Sequence, residues 1–504
     1  MTQGLLPFKY ESEKQKSKMT GFGGLPAYLD LAQASGLRKS IKKHIKASSE
    51  SQGWTDSQVV MSLILLNLVG GDCVDDLNRI ENDEGLCRIL RKAQKHGMSS
   101  QQRRAFLRRW RKGQQRSVPS PSAVFRYLSE FHDPEEGVFR EIGKAFIPTP
   151  NEHLRGFQKV NRDILCFVQK RNPHRTATLD MDATLVETAK SEALYCYKGF
   201  KSYQPMNTWW AEQEIIVHTE FRDGNVPAGF EQLRVFKEAL RCLPGSITKV
   251  RLRSDTAGYQ HNILKYCATG KNKRFGKIEF AIGCDVTPEF KKAVLEVPES
   301  DWTPLIRKGR ITNKEWAEVC FVPNTIGHSK KGPEYRYIAT REIMAEQMII
   351  PGTVDDIEYP FQTMSKEKKK YKIFGMVTNM DWDGQDLIPW FYKRCGKSEE
   401  VHSVMKEDLA GGKLPSDDFG VNAAWWWIMI LALNLNNAMK SLVLGEAWIP
   451  KRMKAIRFHL INLPARVMER SHELLVRLPK NHPCLDWLVM IRARIVSLAL
   501  DSPG

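Results

Sequence analysis

The sequence predicts an α/β protein: a mixed-sheet domain interrupted by a β-rich segment, with helical regions at both ends. Three observations predict it. Between about 160 and 283, strand-like apolar runs alternate with stretches of helical spacing, as in a mixed sheet with covering helices. From 284 to 388 the pattern is mostly strand-like, with loops marked by prolines and the lysine-rich SKEKKKYK. Before about 150, and again from Pro389 onward, apolar residues recur at helical intervals. The 504 residues are enough for about two to four domains. These changes of texture divide the chain into 1–155, 156–283, 284–388, 389–444 and 445–504.

In the first region IKKHIK, SQVVMSLILLNLVGG and AFLRRWRKG are the clearest helical pieces. Residues 101–116, QQRRAFLRRWRKGQQR, contain seven Arg and Lys, with Phe106, Leu107 and Trp110 between them. A basic helix with a small apolar stripe suits docking on phosphates. Arg103, Arg104, Arg108, Arg109, Arg111 and Lys112 are the candidate DNA contacts. The same run also reads as the solvated face of a helical bundle.

TLDMDATLVE (178–187) opens the α/β part with two aspartates on a strand pattern. Alternation places Asp180, Asp182 and Thr184 on one face and Leu179, Met181, Ala183 and Leu185 on the other. Two like charges there need a cation or hydrogen-bond donors, unless the strand is a solvated edge. SEALYCYKG reads as a second strand and EQEIIVHTEFRDGNV as a third, ending in a turn. FEQLRVFKEALRCL, SITKVRLRSD, AGYQHNILKYCA and GKIEFAIGC then alternate helix and strand. WAEVCFVPN, PEYRYIATREI and KKYKIFGMVTN are the clearest strands of the β-rich segment. PWFYKRCGKSEEVHSVMKEDLAGG reads as a helix starting at Pro389 and stopping at Gly411 and Gly412. The region after 445 reads as helical, amphipathic and basic, a candidate for dimerisation or for packing on its own subunit.

Composition narrows the function. The formal charge of +18 favours a polyanionic partner, nucleic acid before membrane, and counts against a paired-carboxylate glycosidase. The ten cysteines are scattered singly, so neither a zinc site nor a disulfide framework is indicated, and reduced thiols of a cytosolic protein fit. The N-terminus lacks the apolar core of a signal peptide. The run AAWWWIMILAL (423–433) is too short to span a bilayer and reads as a buried helix, so no membrane is expected.

Two further acids join the first pair. Asp255, in VRLRSDTAGY, ends an apolar strand just before a helix, where α/β sheets build sites and where Asp also serves as an N-cap. Glu399 lies in GKSEEVHSVMKED, sharing a helix side with Ser403 and Lys406, a pattern a surface Glu–Lys face also explains. Together the three resemble the catalytic acids of the RNase H-like DDE transposases of bacterial insertion sequences. D-A-T at 182–184 looks like the segment around that family's first aspartate, and R-S-D-T-A-G-Y at 253–259 like the second. Tyr392 lies seven residues before Glu399 and Lys406 seven after it, as in the group with a β insertion before the last acid. The pattern's arginine falls one position early, at Arg394, where Cys395 stands in its expected place. The resemblance spans about 176–440 and is closest to DDE group 1, insertion sequence 1380 type.

The resemblance implies an RNase H-like core with Asp182, Asp255 and Glu399 as catalytic residues and metal ligands. Asp180 and Glu400 are the auxiliary or alternative acids. It implies two Mg²⁺ or Mn²⁺ ions per site, which suits oxygen-only ligands. Tyr392, Arg394 and Lys406 would hold phosphates, and a tryptophan of the β insertion (Trp302, Trp316 or Trp382) would stack on a base. The partners implied are double-stranded DNA, as transposon terminal inverted repeats and target, and a second copy of the chain on paired ends. The expected activity is cleavage at those ends followed by strand transfer, in the bacterial cytoplasm at the nucleoid. A nuclease of the same fold without strand transfer, and a catalytically silent DNA-binding derivative, are the alternatives. Joining of cleaved ends to a second DNA separates the first, and metal-dependent nicking the second.

Overall fold

The structure of the protein is a computed structural model. It describes residues 18–48, 53–108, 116–140, 143–307, 309–323, 335–344, 359–367, 369–470 and 473–500. Arg109, Arg111 and Lys112 lie outside the described residues. The chain forms two compact units, one of residues 134–149 and 165–403, the other of 1–133, 150–164 and 404–504.

The first unit is built on a ten-stranded mixed sheet. In chain order its strands are β1 (Thr176–Ala183), β5 (Met206–Trp210), β6 (Ile215–Glu220), β7 (Lys249–Ser254) and β8 (Glu279–Cys284). They continue with β9 (Thr303–Arg307), β10 (Arg310–Val319), β11 (Arg336–Ile343), β12 (Thr363–Lys366) and β13 (Lys369–Thr378). A small three-stranded sheet comprises β2 (Val186–Glu187), β3 (Leu194–Tyr195) and β4 (Lys201–Tyr203). The large sheet runs β9-β10-β11-β13-β8-β7-β1-β5-β6, with β12 paired to β13. β1, β7 and β8 are mutually parallel, whereas β5 is antiparallel to both its neighbours, β1 and β6.

Ala177, Thr178, Leu179, Asp180 and Met181 are all buried, so β1 is an interior strand covered on both faces rather than a solvated edge. Its one buried charge has a partner on β7, described below. Covering helices include Gln232–Cys242 against β6 and His261–Ala268 against β8.

Strands β9–β13, from the β-rich segment, are continuous with the sheet that carries the aspartates: Gly375 of β13 pairs with Cys284 of β8. The helix Gly384–Tyr392 lies on them, its Leu387, Ile388 and Phe391 packed with Ala281, Ile338 and Met376. This helix starts five residues before Pro389, because Asp383 caps it: the Gln385 N–H donates to Asp383 Oδ1 at 2.8 Å. The helix meets the sheet at Gly384, where a Cβ would fall 2.4 Å from the Trp316 ring. The single helix expected from 389 to 410 is broken instead. Gly396 takes a φ of +77°, a short helix follows at Lys397–Ser403, and Val404–Asp408 is π-helical.

The second unit centres on the helix Phe419–Ala438, every residue of which is buried. It packs against Asp56–Val69, whose N-terminus is a Thr55/Gln58 capping box. Continued by Met439–Leu444, the central helix is long and apolar enough to cross a bilayer, and 83% of its most apolar window is buried in the protein. It exceeds the run 423–433 because its flanking asparagines are satisfied inside the unit. Asn434 Nδ2 donates to Asn161 Oδ1 at 2.7 Å, and the Tyr28 hydroxyl donates to Asn436 Oδ1 at 2.8 Å. The region after 445, expected to be helical, also contains an antiparallel strand pair, Ala465–Arg470 with Glu473–Arg477. Its cause is the alternation of ARVMER, which buries Ala465 and Val467 on one face. The helix Cys484–Leu500 follows.

Candidate active site

Asp182 stands at the carboxyl end of β1 and Asp255 one residue beyond the end of β7. These strands are adjacent and parallel, with Met181 opposite Ser254, so the two carboxylates emerge side by side from the same end of the sheet. Asp182 is 22% exposed, and its carboxyl is pushed up to about 6. Burial is the main cause, Arg394 opposes it, and the neighbouring charge of Asp255 adds to it. The nearest guanidinium nitrogen, Arg394 Nη2, is 4.0 Å from Asp182 Oδ2, too far for a hydrogen bond.

Asp255 also serves as a cap. The Ala257 N–H donates to its Oδ1 at 3.1 Å, and Ser254 Oγ lies 3.4 Å from the same oxygen. Among the described residues no hydrogen bond reaches Oδ2. The cap and the site are therefore compatible: one oxygen holds the turn and the other stays open. Gly258 permits that turn, since a Cβ there would lie 2.6 Å from Ser254.

Asp180, two residues before Asp182, is committed elsewhere. Arg253 donates to both its oxygens, Nε to Oδ1 at 2.6 Å and Nη2 to Oδ2 at 2.7 Å, with both side chains almost fully buried. Burial pushes the Asp180 carboxyl up, and the Arg253 guanidinium works against that shift. Arg253 Nη1 also donates to the Trp390 carbonyl at 2.5 Å, and its guanidinium lies 4.9 Å from the Trp390 ring centroid. Asp180 thus fixes the end of the helix that leads, four residues after Trp390, into Arg394. Arg394 is itself buried, with no hydrogen-bond partner for its Nε among the described residues.

Glu399 does not join the two aspartates. It is exposed in the first turn of Lys397–Ser403. Among the described residues, the only three acid, Cys or His groups with ligand atoms within 4.8 Å of one another are Asp72, Cys73 and Asp76, in the helical unit. What ties the Glu399 helix to the site is His402, one turn on: its Nε2 lies 3.4 Å from Asn207 Nδ2. Asn207 is the register partner of Asp182 on β5, and its Oδ1 accepts from Thr219 Oγ1 at 2.7 Å. Positions i and i+3 share a helix face, so Glu399 lies on the His402 side. Glu400 is engaged with Lys397 at 3.7 Å, and Lys397 also reaches Glu214 at 3.1 Å.

The sequence matches the family model for the transposase DDE domain, group 1, over residues 11–500. The chain belongs to this DDE transposase family. Among solved structures, the cryo-EM structure of a piggyBac transposase synaptic complex with hairpin DNA is similar. The match covers 94% of this chain and 83% of that one, with 11% identity and a TM-score of 0.42. No curated protein matches the sequence.

In this DDE transposase the remaining candidate residues are dispersed. The Tyr392 hydroxyl lies 3.4 Å from Thr340 Oγ1 on β11, with three strands between β11 and β1, so it is not brought to the aspartates. Lys406 belongs to the π-helical Val404–Asp408 of the helical unit. The three tryptophans are packed. Trp302 is buried under the Arg341 guanidinium, 4.1 Å from its ring centroid. Trp316 sits against Gly384, and Trp382 between Trp390 and Arg251. Arg103, Arg104 and Arg108 are exposed on Ser100–Arg108, a helix with no buried residue. Sequence reasoning missed Arg253, Asn207 and His402. A signal for the first was present: a carboxylate at Asp180 on a buried strand demands a cation, and Arg253 alternates with Leu252 on the next parallel strand.

Proposed function

We propose that this chain binds the terminal inverted repeats of its element, cleaves DNA there and transfers the freed 3′ ends to target DNA. It would be a cut-and-paste transposase of the insertion sequence 1380 type. The observation that carries this reading is the pairing of Asp182 and Asp255 at the ends of adjacent parallel strands. The strand order β6-β5-β1-β7-β8, with the first three strands antiparallel and the last three parallel, supports an RNase H-like core.

The donors fit a hard divalent cation: two carboxylates, among the described residues one with an unbonded oxygen and the other with no cation in hydrogen-bond range. Asp182 and Asp255 would hold Mg²⁺ or Mn²⁺, two ions per site, with Glu399, which stands apart from them in this structure, as the third ligand, supplying Lewis acidity for phosphodiester cleavage and transfer. Around them the chain's own residues orient the DNA. Arg394, four residues beyond the Trp390 carbonyl that Arg253 holds, places a guanidinium beside Asp182 where a strand phosphate would pass. In the helical unit Lys406 would hold a phosphate and Arg103, Arg104 and Arg108 would grip phosphates of the end, with two subunits on paired ends. In this reading 1–155 is the DNA-binding region, 156–283 and 389–444 the catalytic core, 284–388 the insertion and 445–504 a dimerisation region.

The test is a plasmid carrying the element's ends, incubated with Mg²⁺ and a target plasmid. Joined products are expected from the wild type, and Asp255→Ala should reduce cleavage by at least about 100-fold. Near wild-type cleavage by Asp255→Ala would overturn the site. Glu399→Gln should lose activity while Glu400→Gln keeps it, and the reverse result would move the third ligand to Glu400.

A further inference from the structure

The packed tryptophans leave the aromatic surface of the α/β unit elsewhere. Ala183 of β1 and Met206 of β5 are register partners, next to the pair Asp182–Asn207. Residues 184–205 are therefore an excursion rooted beside Asp182, and they form the small sheet β2-β4-β3. Its base is held firmly. Tyr203 pairs with Asp223, and Asp223 takes two 2.7 Å hydrogen bonds from Arg140, which also donates to the Glu192 carbonyl at 2.9 Å. A Cβ on Gly224 would fall 2.5 Å from the Ser202 carbonyl oxygen, so the turn beneath the hairpin is in close backbone contact.

The tip is open. Cys196 to Phe200 form the turn, with Gly199 at a φ of +82°. Tyr195 ends β3 and Tyr197 lies in the turn, and they are 64% and 78% exposed. Each has a lysine beside it: Lys201 Nζ lies 6.0 Å from the Tyr195 ring centroid and Lys198 Nζ 5.8 Å from that of Tyr197. Tyr197 is nine residues from Met206, a span of about 30 Å at full extension.

We propose that this hairpin is a contact site for unpaired nucleotides of the DNA strand at the catalytic carboxylates. Exposed flat rings accept bases by stacking, and paired bases inside a duplex offer no free face. The two lysines supply the attraction for phosphates, and the firmly held base roots the hairpin beside Asp182. The inference rests on the reading that the partner is DNA.

The experiment measures binding of the full chain to two labelled duplexes of one sequence, fully paired and with a central gap of unpaired nucleotides. The wild type should bind the gapped duplex roughly tenfold tighter, the worth of one stacked base. Tyr195→Ala with Tyr197→Ala should abolish that preference and leave affinity for the paired duplex unchanged. Tyr195→Phe with Tyr197→Phe should keep it, because stacking needs the ring and not the hydroxyl. Equal binding of both duplexes by the wild type, or an undiminished preference in the double alanine variant, overturns the hairpin site while the DNA reading stands. Binding of neither duplex overturns both.

Discussion

Asp180 and Asp182 lie on the same face of one strand, two residues apart, and their surroundings give them opposite duties. Asp180 is neutralised by a two-toothed contact with Arg253, whereas among the described residues the one ion-pair partner of Asp182 is the Arg394 guanidinium, at 4.0 Å. Asp180→Ala leaves Arg253 buried without its counter-charge and should cost about 3–5 kcal/mol of unfolding free energy. Adding Arg253→Met to that variant should return most of it. Asp182 behaves in the other sense. Its carboxyl is raised to about 6, so at pH 8 the fold holds an ionised group that burial disfavours. Asp182→Asn should leave urea stability at pH 8 unchanged or higher. Equal losses in the two variants would show that both acids are structural.

At the scale of elements, the helix Gln232–Cys242 is joined to β6 by His218, whose Nε2 is 3.2 Å from Glu238 Oε2. Burial alone would lower the His218 imidazole, but contacts with Cys242 and Glu238 outweigh it and raise it to about 9. Burial likewise works against Glu238, yet His218 and Arg234 bring its carboxyl down to about 2. The raised histidine contributes stability fully below its unfolded value of 6.5 and loses it as pH rises through 9. The depressed glutamate contributes above 4.5 and loses its share as pH falls through 2. The pair is therefore worth most between those unfolded values. About 2–3 kcal/mol should disappear between pH 6.5 and 9, and His218→Gln should flatten that arm of the urea-midpoint profile. Local patterns announced several elements: the alternation of β1, the strand end at Asp255 and the apolar central helix. They failed where distant contacts decide. The helix expected from Pro389 is capped earlier by Asp383 and broken at Gly396, and the strands of the β-rich segment join a sheet whose pairing no local period encodes. Of the candidate site, Asp255 was legible as an acid at a strand end, whereas Asp182 was singled out over Asp180 by the family resemblance of D-A-T at 182–184. The Arg253 clasp, the His402–Asn207 contact and the burial of the tryptophans depend on which strands become neighbours.

At the scale of the whole molecule, the +18 charge is a long-range property that single contacts do not capture. Such an excess favours association with a polyanion and releases its counterions on contact, so affinity falls with salt in proportion to the phosphates neutralised. The helix Ser100–Arg108 is a clean place to test this, because none of its residues is buried. Replacing Arg103, Arg104 and Arg108 by alanine should leave the thermal midpoint unchanged. With a duplex about 30 base pairs long, wild-type affinity should drop steeply between about 50 and 200 mM KCl. The triple variant should bind more weakly at the low end, with a plot of log K against log salt shallower by about 2–3 units, near one per lost phosphate contact. The two curves should then converge as salt rises, since the missing contacts are the ones salt weakens. An unchanged slope would make these arginines a solvated face only, and the DNA contacts would have to lie on other basic surfaces of the chain.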